Sequence, residues 1–309
     1  MVSISNLQKS YGHFHVLNGL NMNVPDGEIY GFLGKNGCGK TTTMNILCNV
    51  IPKDGGDVIL GGENADTDEK NKIKIGYLPE SPSLFGFMNG YEYLRYIAAC
   101  CNYQGDKEAR VMEVLNTVGM LEGGKRRIKG YSRGMNQRLG IAAIIFDHPQ
   151  LLVLDEPTSA LDPEGRADVM NIIRYLGSTG CTIILCTHIL SDVEKVAGSV
   201  GILRDGRMAV EGKISDVLMN YARQEVELKL YRTDEKSINA VRALESSELV
   251  QKVDFFEKTG YFVVHTPEPE SASELMIKHF AENSIVPSHM RTVTESLEEI
   301  YLKVVNGNA

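Results

Sequence analysis

The stretch Gly34-Lys35-Asn36-Gly37-Cys38-Gly39-Lys40-Thr41 decides the fold, because it matches the phosphate-loop pattern G-x-x-x-x-G-K-[ST] in full. The apolar run before it, 28–33, predicts a buried strand, and the apolar spacing over 41–49 predicts a helix. At such a turn the glycines let backbone N–H groups converge on phosphate oxygens. Lys40 then reaches the β- and γ-phosphates, and Thr41 ligates Mg²⁺.

We therefore expect residues Gly34–Thr41, with the adjacent Thr42, to bind a nucleoside triphosphate and Mg²⁺. A glycine-rich turn without a ligand is the alternative, which the flanking strand and helix disfavour. Cys38 places a thiol inside the loop, where oxidation would inactivate the protein only if the thiol pKa were low.

Composition points to a globular protein. The chain has 309 residues, 43% hydrophobic and 23% charged, which is enough for one large or two modest domains. No apolar run approaches the roughly 18 residues of a membrane span, and the first residues lack a signal-peptide pattern. The formal charge of −8 argues against nucleic acid as a partner. The six cysteines form no CxxC pair, which is typical of reduced thiols in a cytoplasm.

A second candidate site element is the run Leu151–Leu154 followed by Asp155 and Glu156. Four consecutive apolar residues predict a central parallel strand, and ligands of open α/β sheets lie at the carboxyl ends of such strands. Asp155 would hold Mg²⁺, and Glu156 would polarise the attacking water. An acid pair that merely caps a loop is the alternative. The next buried strand, 181–186, leads to Thr187-His188.

An aromatic residue upstream is a candidate contact for the base. Tyr11 lies in what the sequence predicts to be a polar loop, and stacking on the nucleobase competes there with ordinary packing. Val16 would be a second apolar contact for the base.

The chain alternates between strand and helix patterns. Short strands are predicted over 2–33, an all-helical insertion over about 82–146, and a hairpin through Asp205-Gly206. Residues 222–309 change character: alternating runs at 226–230 and 261–264 predict strands, and helices are predicted at 236–244, 271–283 and 294–305. We expect domains at 1–221 and 222–309, the second a small accessory α+β domain.

Further motifs appear in a fixed order after the phosphate loop. Gly130-Tyr131-Ser132-Arg133-Gly134-Met135-Asn136-Gln137-Arg138-Leu139-Gly140 precedes the acidic strand end, and the run 159–162 and His188 follow it. Together these motifs resemble the ATP-binding cassette (ABC) ATPases over residues 1 to about 220. The forms at 77–80, 131–138 and 294–301 are most similar to the nucleotide-binding subunits of ABC-2 type exporters. The resemblance implies a P-loop NTPase of RecA-like α/β fold, with an antiparallel β subdomain and a helical insertion.

The resemblance also implies residue roles. Tyr11 matches the aromatic residue that stacks on adenine, and His188 matches the γ-phosphate sensor. Ser132 and Gly134 match signature positions that contact the γ-phosphate of ATP bound to a partner subunit. Asp162 matches the acid that communicates across the dimer.

Two positions depart from the commonest pattern. Glu80 stands where a glutamine usually ligates Mg²⁺ and couples to the membrane subunit, and we expect its carboxylate to bind the metal as well. Arg133 stands where glycine is frequent.

The resemblance predicts the motor subunit of a membrane transporter. Its partners would be a second copy of itself, in an ATP-sandwiched dimer, and a polytopic ABC-2 permease contacted through residues 84–96. The subunit would then be cytoplasmic, peripheral on the inner face of the membrane. A soluble ABC ATPase of translation or DNA repair is the alternative, although the sequence shows one phosphate loop and no sustained heptads. A regulator without hydrolysis is opposed by Glu156 and His188. The transported substrate is not encoded in these motifs.

Overall fold

The computed structural model describes residues 1–65, 73–159 and 161–307, and the chain divides into two compact units. The first unit comprises Met1–Ile214 together with Tyr301–Ala309, and the second comprises Ser215–Ile300. The boundary therefore precedes the predicted one at 221/222, and the described residues from Tyr301 to Gly307 return to the first unit. Composition alone does not reveal such a return, because it depends on contacts between residues far apart in the sequence.

The main sheet of the first unit has six strands in the order β10-β9-β3-β8-β7-β6. These are β3 (Ile29–Gly34), β6 (Ile75–Leu78), β7 (Leu151–Asp155), β8 (Thr182–Cys186), β9 (Ser199–Arg204) and β10 (Arg207–Lys213). All neighbours are parallel except β10, which is antiparallel to β9. Strands β3, β7 and β8 are buried along their whole length, as expected for central parallel strands with continuous apolar runs.

A second, antiparallel sheet has the order β2-β1-β4-β5. Its strands are β1 (Val2–Tyr11), β2 (Phe14–Val24), β4 (Gly55–Leu60) and β5 (Glu63–Asn64). The prediction of several short strands before the phosphate loop was wrong in detail, because β1 and β2 form one long hairpin with irregular register. Tyr11 is the last residue of β1, paired with Phe14, and does not lie in the predicted loop. Register shifts in this hairpin interrupt the alternation of apolar and polar residues from which the full length of both strands could have been predicted.

Helices pack around these sheets. They are α1 (Lys40–Leu47), α2 (Gly90–Cys100), α3 (Lys107–Thr117), α4 (Arg133–Ile144), α5 (Pro163–Ser178) and α6 (Leu190–Val196). Helix α7 (Ile214–Asn220) begins at the residue that ends the first segment of this unit. Helices α2, α3 and α4 lie within the helical insertion predicted over about 82–146. Polar side chains cap their first turns: Asn89 forms a capping box with Glu92, and Asp106 accepts from two backbone N–H groups of α3.

The second unit is a βαββαβ arrangement. Its elements are β11 (Ala222–Leu230), α8 (Glu235–Arg242), β12 (Lys252–Phe256), β13 (Tyr261–His265), α9 (Pro269–Glu282) and β14 (Pro287–Thr294). The antiparallel strand order β12-β13-β11-β14 is that of a ferredoxin-like fold. Apolar side chains of the strands and α9, among them Leu228, Phe262 and Met276, form its core. The final helix, α10 (Leu297–Asn306), follows β14.

Among the described residues, no helix combines the length and apolar character that a bilayer crossing requires.

Candidate nucleotide-binding and hydrolysis site

The phosphate loop joins β3 to α1, as predicted. Gly37 and Gly39 have φ angles of 80° and 113°, and Gly39 is the residue that precedes α1. These are left-handed values that favour glycine, and a Cβ at Gly39 would also lie 2.7 Å from Leu17 Cδ2. The two glycines therefore allow the loop to curve tightly into the helix N-terminus, where backbone N–H groups can bind an anion.

Lys40 is the first residue of α1, and only 7% of its surface is exposed. Its Nζ donates to the carbonyl oxygens of Gly34, at 2.7 Å, and Lys35, at 3.2 Å. The ammonium is thus held by its own loop. A phosphate in the loop must offer Lys40 better acceptors than these neutral carbonyls, which charged oxygens do.

A cleft of about 340 Å³ brings most of the predicted site residues together. It is lined by Val16, Asn36, Gly37, Gly39, Lys40, Thr41, Thr42, Glu80, Asp155, Glu156 and His188. These residues come from five separate parts of the chain: the strand β2, the phosphate loop, the segment after β6, the end of β7 and the segment after β8. Their convergence follows from the parallel sheet, because β3, β7 and β8 are neighbours whose carboxyl ends lie at one edge.

Thr41 and Asp155 are directly connected: the Thr41 hydroxyl donates to Asp155 Oδ2 at 3.0 Å. Burial raises the pKa of Asp155, and the hydrogen bond from Thr41 opposes that rise. The neighbouring carboxylates of Glu156 and Glu80 raise this pKa further, whereas Lys40 lowers it. A carboxylate in such a setting gains from a cation placed beside it, because the cation offsets both the burial and the like charges.

Glu156 follows β7 with a φ of 50°, a left-handed value that is uncommon for a residue other than glycine. Its backbone N–H donates to the carbonyl of Cys186 at 2.8 Å, so the turn is fixed by the neighbouring strand. Its carboxylate is contacted on both oxygens: Thr187 Oγ1 donates to Oε2 at 3.2 Å, and His188 Nδ1 lies 2.9 Å from Oε1. Unusual backbone conformations of this kind cluster at functional sites.

Glu80 connects the cleft to the helical insertion. Its Oε1 accepts from Ser159 Oγ at 3.4 Å, and its backbone carbonyl accepts from Gln137 Nε2 of α4 at 3.2 Å. The predicted coupling residue therefore contacts the signature helix α4 and the loop that precedes α5.

Several predicted residues lie outside this cleft. Tyr11 is 53% exposed, and the Lys9 ammonium lies 5.6 Å from its ring centroid. The thiol of Cys38 packs against Gly34, and burial raises its pKa, although Lys40 opposes the rise. A thiol of this kind is mostly protonated at neutral pH, which opposes the oxidation considered from the sequence. The side chain of Lys35 donates to Asn306 Oδ1 at 3.4 Å.

Ser132, Gly134 and Asp162 also lie outside the cleft of their own chain. Ser132 is exposed and caps α4, its Oγ accepting from the Met135 N–H at 3.2 Å. Asp162 is exposed and caps α5, its Oδ1 accepting from the Gly165 N–H at 3.1 Å. A Cβ at Gly134 would lie 4.0 Å from Gly165 Cα, so the first turns of α4 and α5 are neighbours.

A buried polar network behind the site was not predicted. The carboxylate of Asp192 is 99% buried, accepts from Thr158 Oγ1 at 2.9 Å and pairs with the Arg166 guanidinium at 2.7 Å. It joins α6 to α5 and to the loop that follows Glu156. The contact of Thr187 with Glu156 was not predicted either. The only signal of this network in the sequence was the position of Asp192, shortly after His188. The network itself could not be predicted, because it forms only when three separate segments have folded.

The insertion also presents an aromatic surface. Phe85, Phe87 and Tyr96 are 41%, 71% and 42% exposed, and the ring centroid of Phe85 lies 5.7 Å from that of Phe87 and 5.3 Å from that of Tyr96. We call these three residues the aromatic patch. Arg95, in the same segment, instead makes a two-pronged ion pair with Glu108 of α3.

Comparisons with known proteins agree with this architecture. The sequence profile of the ABC transporter family matches residues 17–159. The lantibiotic transport ATP-binding protein SrtF of Streptococcus pyogenes is 39% identical over 211 residues, covering 68% of this chain and 90% of that protein. The bacitracin transport ATP-binding protein BcrA of Enterococcus faecalis is 32% identical over 309 residues, covering 99% of this chain and 97% of that protein.

A solved structure matches about two thirds of the chain. It is the dimeric post-hydrolysis state of the ATP-binding cassette MJ0796 bound to ADP and Pi, with a TM-score of 0.62 and 25% identity. The match covers 69% of this chain and 99% of that one. The predicted α/β cassette fold and the resemblance to the ABC ATPases are therefore confirmed, and nothing in these relatives favours a role in translation or DNA repair. The chain belongs to the ABC transporter family, as an ATP-binding and ATP-hydrolysing subunit.

Proposed function

We propose that this chain binds ATP with Mg²⁺ in the cleft after β3, hydrolyses it as a homodimer, and thereby powers an ABC-2 type exporter. The observation that carries the proposal is the convergence of Lys40, Thr41, Asp155, Glu156 and His188 on one cleft. That set supplies a cation for the phosphates, oxygen ligands for a metal and a carboxylate for water activation.

The ATP site would use the loop backbone and Lys40. Lys40 exchanges its bonds with Gly34 and Lys35 for bonds to phosphate oxygens. Val16 lines the cleft beside Gly39 and would contact the base. The aromatic contact predicted for Tyr11 would need its exposed ring to reach the base from the β1–β2 hairpin.

The described residues fit Mg²⁺. They contain no group of three or more His, Cys, Asp or Glu side chains that could form a metal cage. Mg²⁺ does not need one, because it usually takes one or two carboxylates together with substrate phosphates and water. The joined Thr41 hydroxyl and Asp155 carboxylate would hold it, with Glu80 at the edge of the cleft. When bound, the ion would neutralise charge on the phosphates.

Glu156 would orient and deprotonate the attacking water. Thr187 and His188 hold its carboxylate from both sides, which fixes its orientation toward the cleft. His188 is 56% exposed on its side chain, so its remaining ring nitrogen can reach the γ-phosphate from the open side of the cleft. Positioned bases of this kind contribute roughly 10²–10⁴-fold to a rate.

The working unit would be a two-fold dimer. Ser132 and Gly134 begin α4, an anion-binding helix N-terminus that does not line the chain's own cleft. In a second copy related by a two-fold axis, that terminus would face the ATP held by Lys40. Asp162, beside the α4 terminus, would then contact the partner. The dimeric state of the similar cassette MJ0796 supports this arrangement.

The permease would dock on the helical insertion. The aromatic patch is a surface of the type that marks protein interfaces, where exposed aromatic residues form the core contacts. Glu80 and Gln137 would transmit movement from this surface to the cleft. The subunit would then be peripheral on the cytoplasmic face of the membrane. Because relatives are named for lantibiotic and bacitracin transport, peptide antibiotics are the first substrates to test.

The experiment is to express the chain with the products of the neighbouring open reading frames and to test whether a polytopic membrane protein purifies with it. We expect to isolate a complex of two ATPase chains with the permease, and we expect this complex to hydrolyse ATP only in the presence of Mg²⁺. We also expect cells expressing both to resist a peptide antibiotic, and cells carrying Glu156→Gln to lose that resistance. A purified chain that hydrolyses ATP without associating with any membrane protein would contradict the transport role.

A further inference from the structure

The chain's last residues contact the phosphate loop of the first unit. Helix α10 begins at Leu297, and residues from Tyr301 onward belong to the first unit. Val304 and Val305 are 2% and 9% exposed, so this end of the helix is packed and not frayed. Tyr301 lies three and four positions before them, hence on the same helix face.

Two cations hold the end of α10. Arg204 Nη1 donates to the Val304 carbonyl at 2.9 Å, and Lys35 Nζ donates to Asn306 Oδ1 at 3.4 Å. Both cations act where the helix presents free carbonyls and its negative dipole end. Gly307 ends the helix with a φ of 82°, and a Cβ there would lie 3.1 Å from Arg204 Nη2.

The sheet brings these two cations together. Gly34 of β3 pairs with Leu203 of β9, so Lys35 and Arg204 are the next residues along two adjacent parallel strands. Lys35 is also the second residue of the phosphate loop, and its carbonyl accepts from Lys40. One residue therefore bonds the nucleotide-binding lysine through its backbone and the tail of the chain through its side chain.

We propose that residues Tyr301–Gly307, which we call the C-terminal tail, are a positioning element for the phosphate loop. The tail holds the loop at Lys35, through the bond of its side chain to Asn306. A loop that is already ordered loses less conformational entropy when it closes on phosphates, so the tail increases nucleotide affinity. This role rests on the ATP site described above.

The surroundings of Tyr301 agree with this placement. Burial raises the pKa of Tyr301, and the side chains of Cys38 and Glu156 act in the same direction. The tail thus lies within electrostatic range of the phosphate loop and of the acid that follows β7.

The test is ADP affinity, measured by equilibrium titration on the full chain, since ADP occupies the loop without hydrolysis. Asn306→Ala and Arg204→Ala are expected to raise the dissociation constant about three- to tenfold, where the upper figure is set by the free energy of one net hydrogen bond between the tail and the rest of the chain. Arg204→Lys keeps the cation and should stay near wild type. Leu302→Ala, at a position of the same helix that is 50% exposed, is the matched control and should not change the affinity.

A reciprocal measurement separates positioning from simple packing. If the tail increases ADP affinity, ADP must stabilise the tail by the same factor, which slows hydrogen exchange of residues 301–307. Variants that only lower the melting temperature, with unchanged ADP affinity, would overturn the proposal. So would tighter ADP binding in Asn306→Ala, or tail exchange that is indifferent to ADP. A wild-type chain that fails to bind ADP would instead count against the proposed ATP site.

Discussion

The carboxylate of Glu156 and the imidazole of His188 face each other, with Oε1 2.9 Å from Nδ1. Because an ionised carboxylate only accepts hydrogen bonds, Nδ1 carries a proton in this contact, and a hydrogen bond from Nε2 to a phosphate oxygen requires a second proton on the ring. Thr187 donates to the other oxygen, and its own hydroxyl accepts from the Ile189 N–H at 3.0 Å. The turn after β8 therefore sets the orientation of the acid that follows β7.

Replacing Glu156 with Gln should separate binding from hydrolysis. The amide keeps the shape and one acceptor but cannot take a proton from water, so we expect ATP binding near wild type and hydrolysis lowered by roughly 10²–10⁴-fold. Single-turnover hydrolysis with excess enzyme measures this directly. His188→Ala should also slow turnover, since it removes a partner of Glu156. Glu156→Gln activity within tenfold of wild type would show that another residue activates the water.

Lys40→Ala should weaken ATP binding by about ten- to a hundredfold, which is the range expected when charge-assisted hydrogen bonds are lost. The ammonium now bonds the carbonyls of Gly34 and Lys35, so its loss also frees the loop. Titration with a fluorescent ATP analogue gives the affinity. Lys74→Ala, which removes a surface ion pair with Asp147, is the control and should bind ATP normally. Equal affinity in both variants would refute the site.

Thiol alkylation should follow burial. The burial of Cys48 and Cys181 raises their pKa values to about 12 and about 11, and burial also raises the pKa of Cys38. Raised thiol pKa values leave less thiolate at pH 8, so these three should react slowly, whereas the exposed Cys100 reacts first. Mass spectrometry after timed iodoacetamide treatment resolves the order. Alkylation of Cys38 as fast as Cys100 would show that the loop opens readily.

The cassette could be predicted from sequence because its signals are local. The phosphate loop, the buried run 151–154 and the helices of the insertion each fall within a short window. Strands β12 and β14 were missed because they are the edge strands of their sheet. An edge strand does not need a regular alternation of apolar and polar residues. Strand β14 begins with Pro287 and carries several polar residues, so its sequence does not predict a strand.

Contacts between distant segments could not be predicted in the same way. The bond between Thr158 and Asp192 joins the turn after β7 to α6, and these meet only after β7 and β8 have paired. The left-handed backbone at Glu156 is equally invisible, since glutamate carries no preference for it. The return of the chain end to Lys35 spans 271 positions, and no periodic pattern records it.

The aromatic patch should be needed for transport but not for basal ATPase activity. We expect Phe87→Ala to weaken association with the permease at least tenfold, because buried aromatic residues carry much of the binding energy of interfaces. Phe14→Ala, equally exposed at 66% but on β2, is the matched control. Arg95→Glu is a poorer test, since it would also break the pair with Glu108. Permease crosslinks found only beyond Tyr221 would contradict this surface.

The dimer gives the sharpest test of how the site is completed. Ser132 and Lys40 lie on different parts of the chain, and Ser132 does not line the cleft that contains Lys40. If ATP is held between Lys40 of one copy and the α4 terminus of the other, Glu156→Gln with ATP and Mg²⁺ should accumulate as a dimer. Both sites then form together, because a two-fold interface is self-complementary.

Ser132→Arg should prevent that dimer by placing a bulky side chain at the helix terminus and removing the cap on Met135. The capping loss alone costs about 1 kcal/mol, so Ser132→Ala is the control for stability and should still dimerise. Solution mass of each variant in the Glu156→Gln background, with and without ATP, gives the result. The deciding measurement is the ATPase activity of Ser132→Arg in the complex with the permease. Normal activity there would show that hydrolysis does not require Ser132 of a second chain.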